Sequence, residues 1–308
     1  MGTPDFAVAP LKHLVDNGYN IVAVVTAPDK PAGRGQKIQE SAVKQYAEKA
    51  GLKVLQPTSL KSISFIEEFN ALHADLGIVI AFRMLPEVIW RAPRLGTFNL
   101  HASLLPRYRG AAPINWAIIN GENTTGVTTF FINSEIDKGD ILLQRAETIE
   151  SDDTAGTMHD KLMYLGADLV LETVEMIAAG DFRQTPQVLA HPDRLREAPK
   201  IFKEICKIDW TGTCAEIHDF VRGLSPYPAA WCELRKEGGE ATTIKVFSVE
   251  TAFEEHSEKQ GTVSSDGISR IRVTCADGYI FLSEVQAAGK NRMSVAEFLR
   301  GFKVASDI

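Results

Sequence analysis

Cysteine is scarce in this chain, and an excess of basic charge and long apolar runs are both missing. The 308 residues include four cysteines, none in a Cys-x-x-Cys pair and all in the last third: Cys206, Cys214, Cys232 and Cys275. This spacing argues against a zinc or redox motif and predicts reduced, buried thiols in an intracellular protein. The formal net charge of −7 excludes the overall basic field of an indiscriminate nucleic-acid binder, although it is compatible with a local basic patch.

No apolar run approaches the ~20 residues that a membrane-spanning helix requires. The amino terminus also lacks the basic segment and apolar core of a secretion signal. We therefore expect a cytoplasmic protein without a membrane partner. Hydrophobic residues make up 44% and charged residues 24% of the chain, which is ordinary for a globular protein. The length favours about two domains.

Strand-like apolar segments alternate with helix-like segments up to about residue 180. Residues 76–81 are nearly all apolar, as a strand covered on both faces requires, and residues 154–179 predict a long helix. The alternation predicts an α/β domain over residues 1–180, with a Rossmann-like, doubly wound and mainly parallel sheet. Such a domain normally opens on a strand, whereas this chain opens on the turn Gly2-Thr3-Pro4. We therefore expect the first strand of the sheet to be missing from this chain.

The sequence changes character after residue 180. Residues 181–206 lack clear periodicity and contain three prolines, which predicts a linker. Residues 207–308 hold short β-type runs, with hairpin turns at Gly238-Gly239 and Asp277-Gly278. This pattern predicts a second domain that is a small antiparallel β-barrel.

The run Phe98-Asn99-Leu100-His101 is the most informative part of the chain. Side chains alternate along a strand, so Asn99 and His101 are expected to point the same way, next to a turn-rich loop. Ligands of open α/β sheets bind where strands open into such loops. A second polar cluster follows another strand and offers Asp137, with Glu135 and Asp140 as competing carboxylates. An amide, an imidazole and a carboxylate suffice for proton-transfer chemistry on an acyl group.

Several further motifs resemble the methionyl-tRNA formyltransferase family over nearly the whole chain. They are Gly2-Thr3-Pro4-Asp5-Phe6, Pro31-Ala32-Gly33-Arg34-Gly35, Ser103-Leu104-Leu105-Pro106-Arg107-Tyr108-Arg109-Gly110 and Ile208-Asp209-Trp210. The pattern Asn99, His101 and Asp137-x-Gly139-x4-Gln144 is similar to that of the wider group of formyltransferases that use 10-formyltetrahydrofolate. The segment Ala81-Phe82-Arg83-Met84-Leu85-Pro86 departs from the family, which commonly has a glycine and one more residue there. The resemblance therefore does not carry over the family's contacts from this loop to the folate pterin.

The resemblance implies an enzyme that transfers a formyl group from 10-formyltetrahydrofolate to the α-amino group of methionyl initiator tRNA, without a metal. It implies that Asn99 and His101 stabilise the oxyanion, and that Asp137 orients His101 and relays protons through a water. It also implies a folate site lined by Ser103, Leu104, Leu105 and Pro106.

For tRNA, the resemblance implies contacts from Arg34 and Lys37 in the first domain. It further implies an oligonucleotide-binding (OB-like) barrel at the carboxyl terminus, where Lys290 and Arg292 lie in a locally basic stretch. Two alternatives stay open at this point. One is a folate-dependent formyltransferase that acts on a small amine such as an amino-sugar nucleotide, and the other is a catalytically inactive tRNA-binding relative.

Overall fold

A computed structural model describes residues 1–32, 37–188 and 195–305. The chain forms two compact units, which are described separately. The first unit comprises Met1–Gly110, Thr125–Glu147 and His159–Glu197, and the second comprises Ala111–Thr124, Thr148–Met158 and Ala198–Ile308. Segments near residues 111–124 and 148–158 therefore cluster with the carboxyl-terminal part of the chain. The boundaries 1–180, 181–206 and 207–308 stay predictions.

The first unit contains alternating helices and strands. In chain order they are α1 (Val8–Asp16), β1 (Val24–Val25), β2 (Lys30–Ala32), β3 (Lys37–Gln39), α2 (Ala42–Lys49), β4 (Val54–Leu55), α3 (Ile63–Asn70), β5 (Gly77–Ile80), α4 (Glu87–Trp90), β6 (Thr97–His101) and β7 (Arg109–Gly110). After α5 (Pro113–Ile119) of the second unit come β8 (Thr124–Phe131), β9 (Ile141–Thr148), α6 (Ala155–Ala179) and β10 (Glu197–Ala198). The helix predicted over 154–179 is thus confirmed as α6.

Parallel pairing runs through most of the sheet. Strand β1 pairs in parallel with β4, and β5 pairs in parallel with β6. Met1 and Gly2 connect the two pairs, because the Gly2 amide donates to Val25 O at 3.0 Å and the Ile80 amide donates to Met1 O at 2.9 Å. Met1 and Gly2 thus occupy the position of the first strand, which was predicted to be missing from this chain. Strand β8 then adds to β6 in antiparallel orientation.

Helices cover both faces of this sheet. On one face, Phe65 and Phe69 of α3 and Ile89 of α4 pack in a buried cluster with Val25 and Val79. On the other face, Thr173 of α6 lies 2.9 Å from Thr129 of β8, hydroxyl to hydroxyl. The predicted doubly wound, mainly parallel α/β architecture is confirmed.

The second unit is built on an antiparallel sheet. Its elements after residue 198 are α7 (Cys214–Leu224), β11 (Ala230–Arg235), β12 (Ala241–Phe253), β13 (Val263–Ser265), β14 (Ile271–Thr274), β15 (Gly278–Ala287), β16 (Met293–Ser294) and α8 (Val295–Leu299). The strand order is β11-β12-β15-β14-β13, with β16 on β15. The sheet curls into a half-barrel, which confirms the predicted small β unit.

All four cysteines are buried in the second unit and carry free thiols. Burial raises the pKa of the Cys214 and Cys232 thiols to about 12. Cys214 and Cys275 bring their sulfur atoms within 3.2 Å of each other, with Asp277 nearby, a grouping that the sequence spacing did not indicate.

Within the described ranges, no helix is both long and apolar enough to cross a membrane.

Candidate active site

Strand β6 carries Asn99 and His101 in the middle of the sheet. Asn99 lies between Val79 of β5 and Phe130 of β8, and His101 lies opposite Thr128. Asn99 is half-buried, whereas His101 is only 7% exposed. The strand predicted for residues 98–101 is therefore present, and its carboxyl end holds the imidazole.

A backbone carbonyl sets the orientation of the His101 ring. His101 Nε2 lies 2.8 Å from Tyr108 O. A carbonyl oxygen can only accept a hydrogen bond, so Nε2 carries the proton and Nδ1 of the neutral ring is left as an acceptor. Nδ1 makes no hydrogen bond to any described residue. The ring nitrogen that is free for chemistry is therefore Nδ1.

Asp137 reaches the same short stretch of backbone. Its Oδ2 atom accepts from the Gly110 amide at 3.0 Å, two residues beyond Tyr108. Among the described residues, no hydrogen bond or ion pair joins Asp137 to His101. Residues 108–110 thus connect the imidazole and the carboxylate. The contact that fixes the His101 ring comes from the Tyr108 carbonyl, and the orienting role of Asp137 stays a prediction.

The Asp137-x-Gly139 spacing has a steric cause. A Cβ atom on Gly139 would lie 1.6 Å from Phe131 O of β8, so only glycine fits at this position. Asp137 itself has a left-handed backbone, with φ of 53°. Gln187 Nε2 donates to the carbonyls of Asp137 and Gly139, at 3.0 and 2.8 Å. These contacts fix the backbone from which the Asp137 carboxylate projects.

The predicted folate loop is held by side chains of β8 and β9. The Thr128 hydroxyl donates to Ser103 O at 2.6 Å, and Gln144 Nε2 donates to Leu105 O at 2.8 Å. Ser103 and Leu105 are buried, so their side chains support the loop from within. Leu104 and Pro106 are half-buried and remain able to line a ligand site. The x4 spacing from Gly139 to Gln144 in the sequence motif therefore serves to hold this loop.

Asn99 retains hydrogen-bonding capacity. Its Oδ1 atom is buried and has no partner among the described residues. Its amide nitrogen likewise makes no hydrogen bond within them. Buried polar groups are normally paired, so an unpaired side-chain amide on the strand that also carries His101 fits a site that receives a polar ligand.

The predicted tRNA contacts fall into three groups. Arg34 lies outside the described residues, and Lys37 belongs to β3, where only the backbone is described. Lys290 is exposed and has no ion-pair partner within the described chain. Arg292 is paired with Glu284 and lies 4.6 Å from the centre of the Phe247 ring. The positive charge of Arg292 is thus already compensated.

The second unit also contains a groove that the sequence analysis missed. This lysine groove has a volume of about 820 Å³ and is lined by residues that include Lys200, Lys203, Lys245, Tyr227 and Trp231. All three lysines are exposed, and none of the described lining residues is acidic. Tyr227 is 80% exposed. In single-stranded nucleic-acid sites, cations bind the phosphates and aromatic rings stack on the bases.

Two family models match the chain. The formyl transferase model matches residues 1–174, and the model for the formyl transferase C-terminal domain matches residues 200–303. A methionyl-tRNA formyltransferase of Parabacteroides distasonis is 56% identical over 306 residues, which cover 98% of this chain and 94% of that protein. A methionyl-tRNA formyltransferase of Flavobacterium johnsoniae is 52% identical over 307 residues, which cover 100% of this chain and 96% of that protein.

Solved structures share the fold at lower identity. One is an N-formyltransferase of Helicobacter canadensis in complex with folinic acid and dTDP-3-aminofucose. It superposes with a TM-score of 0.66 at 20% identity, covering 93% of this chain and 97% of that chain. At this identity the likeness concerns the fold alone.

Replacing Gly139 with alanine is expected to destabilise the first unit. The added Cβ would overlap Phe131 O, so β8 and the Asp137 turn must move apart, at a cost of about 2 kcal/mol or more in unfolding free energy. Urea unfolding of Gly139→Ala measures this loss. The matched control is Gly301→Ala, because a Cβ there meets no atom within 4 Å, and it should change stability by less than about 0.5 kcal/mol. Equal stability of the two variants would contradict the steric account.

Proposed function

This chain belongs to the methionyl-tRNA formyltransferase family, and from that membership we propose that it transfers the formyl group of 10-formyltetrahydrofolate to the α-amino group of methionyl initiator tRNA. The product is N-formylmethionyl-tRNA, used for translation initiation, and we accordingly assign the enzyme to the cytoplasm. The observation that carries the proposal is the convergence of His101 and Asp137 on residues 108–110, at the end of the strand that also carries Asn99. It supplies the amide, imidazole and carboxylate that formyl transfer to an amine requires.

The folate supplies the formyl group on its N10 atom. A neutral amine can attack a formyl carbon directly, so the reaction needs neither a metal nor a covalent bond to the enzyme. Negative charge develops on the formyl oxygen as the amine adds. The Asn99 amide, which has no partner among the described residues, donates a hydrogen bond to that oxygen and lowers the barrier.

His101 acts as the base in this proposal. Its Nε2–H is committed to Tyr108 O, so the neutral ring has no second N–H to offer an oxyanion. Nδ1 instead accepts a proton from the attacking amine. This role differs from the oxyanion-stabilising role that the family resemblance implied for the ring.

Asp137 assists the proton transfer. One carboxylate oxygen accepts from the Gly110 amide, and Oδ1 makes no hydrogen bond to a described residue. That oxygen can hold a water through which the proton passes to the departing nitrogen. Leu104 and Pro106 line the pterin of the folate, while the buried Ser103 and Leu105 keep the loop in position.

The lysine groove binds phosphates of the tRNA. Lys200, Lys203 and Lys245 provide three exposed ammonium groups there. Lys290 does not line the groove but directly follows its lining residue Gly289, and it has no ion-pair partner in the described chain. Arg292 contributes less, because Glu284 neutralises it. Arg34 and Lys37 would contact the acceptor region from the first unit.

Removing the amide or the imidazole should abolish most of the activity. Asn99→Ala loses one oxyanion donor and should lower kcat roughly 10²- to 10³-fold. His101→Ala loses the base and should lower kcat at least about 10²-fold. Single-turnover formylation of methionyl-tRNA with 10-formyltetrahydrofolate measures both effects.

Asn70→Ala is the matched control, since Asn70 is an exposed asparagine on α3 and should retain full activity. Near-normal rates for both active-site variants would refute the site. Formylation of an amino-sugar nucleotide but not of methionyl-tRNA would refute the proposed acceptor. Binding of tRNA without turnover by the unmodified protein would indicate the inactive relative.

Charge removal in the lysine groove should weaken tRNA binding in a salt-dependent way. Lys245→Ala removes one phosphate contact, so the slope of log affinity against log salt should fall by about one. Equilibrium binding of tRNA at several salt concentrations measures the slope. Lys259→Ala is the control, because Lys259 is exposed in the same unit but does not line the groove. An unchanged slope for Lys245→Ala would contradict the assignment of this groove.

A further inference from the structure

A second cleft lies in the first unit, at the carboxyl ends of its parallel strands. It has a volume of about 500 Å³, and its lining includes Thr3, Asp29, Lys30, Thr58, Phe82 and Arg83. Thr3 follows the Met1–Gly2 segment, Asp29 and Lys30 follow β1, Thr58 follows β4, and Phe82 and Arg83 follow β5. The cleft is thus built from loops that leave the same edge of the sheet.

The order of the strands makes this edge a ligand-binding position. From Met1–Gly2 the chain builds outward to β1 and then β4, and it returns to place β5 and β6 on the opposite side. Such a reversal is a topological switch point, where the loops diverge and leave a crevice. Asn99 and His101 stand on β6, the next strand beyond β5. The cleft therefore lies on the β1 side of the predicted catalytic strand.

The one carboxylate among these six residues, Asp29, already has hydrogen-bonding partners. Lys44 Nζ lies 2.5 Å from Asp29 Oδ2, and Gln56 Nε2 donates to Asp29 Oδ1 at 2.7 Å. These two donors hold the pKa of Asp29 below its usual range. Asp29 therefore stays ionised and is held by Lys44, which also pairs with Glu40 at 2.9 Å.

The two cations of the cleft are uncompensated. The Lys30 side chain makes no hydrogen bond or ion pair with a described residue, although its backbone pairs with Gln39 in the β2–β3 ladder. Arg83 donates to the carbonyls of Pro57 and Thr58, which fix its guanidinium without neutralising it, and it has no carboxylate partner in the described ranges. The cleft thus offers an anion two cations that have no carboxylate partner, whereas its one carboxylate is already held by Lys44 and Gln56.

The anchoring of Arg83 suits it to a phosphate. The two carbonyl bonds use two of its five N–H groups and hold the planar fork in place, and the remaining groups can bind oxygen atoms of an anion. The guanidinium lies 5.5 Å from the centre of the half-buried Phe82 ring. An aromatic ring beside a phosphate-binding cation suits a nucleotide.

We propose that Lys30 and Arg83 bind a backbone phosphate in the single-stranded 3′ end of the tRNA that carries the methionyl group. The inference rests on the proposed function. The predicted folate loop, residues 103–106, follows β6, whereas the cleft spans β4, β1, the Met1–Gly2 segment and β5. Lys30 also directly precedes the 31–37 segment predicted to contact tRNA. The acceptor thus enters from the β1 side and the donor from the β6 side.

The test compares charge removal inside and outside the cleft. Arg83→Met keeps the side-chain stem but removes the charge, and it should raise the Kd for methionyl-tRNA about 10-fold at moderate salt. The slope of log affinity for methionyl-tRNA against log salt concentration should fall by about one in Arg83→Met, and Lys30→Met should lower this slope similarly. The KM for 10-formyltetrahydrofolate should stay unchanged in both. Arg83→Lys should retain most of the salt slope, because it keeps the charge.

Arg91→Met is the matched control. Arg91 is exposed at the end of α4, pairs with Glu87 and lies over the Trp90 ring, away from the cleft. Arg91→Met should change neither the Kd for methionyl-tRNA nor the KM for 10-formyltetrahydrofolate. Thermal unfolding of each variant shows whether the fold is retained.

Two results would overturn the inference. One is a rise in the KM for the folate with no change in tRNA binding, which would assign the cleft to a carboxylate of the folate. The other is no change for either substrate. Both outcomes leave the proposed function intact if the unmodified enzyme formylates methionyl-tRNA. Failure of the unmodified enzyme to do so would refute the proposed function itself.

Discussion

The hydrogen bond between His101 Nε2 and the Tyr108 carbonyl determines which ring nitrogen strand β6 presents at the proposed active site. Strand β6 brings the imidazole to the edge of the sheet, and the following loop returns a carbonyl oxygen to within 2.8 Å of it. Because the carbonyl can only accept, the ring presents Nδ1 as a base. Two residues later, the Gly110 amide holds Asp137. One short stretch of backbone therefore positions both titratable groups.

That stretch is itself held at many points. Tyr108 has a left-handed backbone, with φ of 59°, which costs about 1–2 kcal/mol for a residue with a Cβ atom. Ser103 Oγ donates to Arg107 O at 2.7 Å, and the Tyr108 amide donates to Arg196 O at 2.6 Å. Gln187 connects Arg109 with the Asp137 backbone. These contacts help to offset the backbone cost and hold in place the carbonyl that orients the His101 ring.

Local sequence patterns predicted part of this arrangement. Because side chains alternate along a strand, the sequence predicted that Asn99 and His101 share one face of β6. The α/β class was predicted from the alternation of strand-like and helix-like segments. The partner of His101 could not be predicted, because it is a backbone carbonyl and leaves no trace in residue type. Gln187 lies in a segment without periodicity, so its contact with Asp137 depends on tertiary packing alone. The lysine groove combines positions from 200 to 245 that only the folded chain brings together.

The protonation state of the His101 ring is the most direct test of this account. Nitrogen-15 NMR of histidine-labelled protein, at a pH where the ring is neutral, distinguishes a protonated ring nitrogen from a bare one. We expect a proton on Nε2 and a bare Nδ1 in the free enzyme. A proton on Nδ1 with a bare Nε2 would contradict it, since the Tyr108 carbonyl could then not be the group that orients the ring.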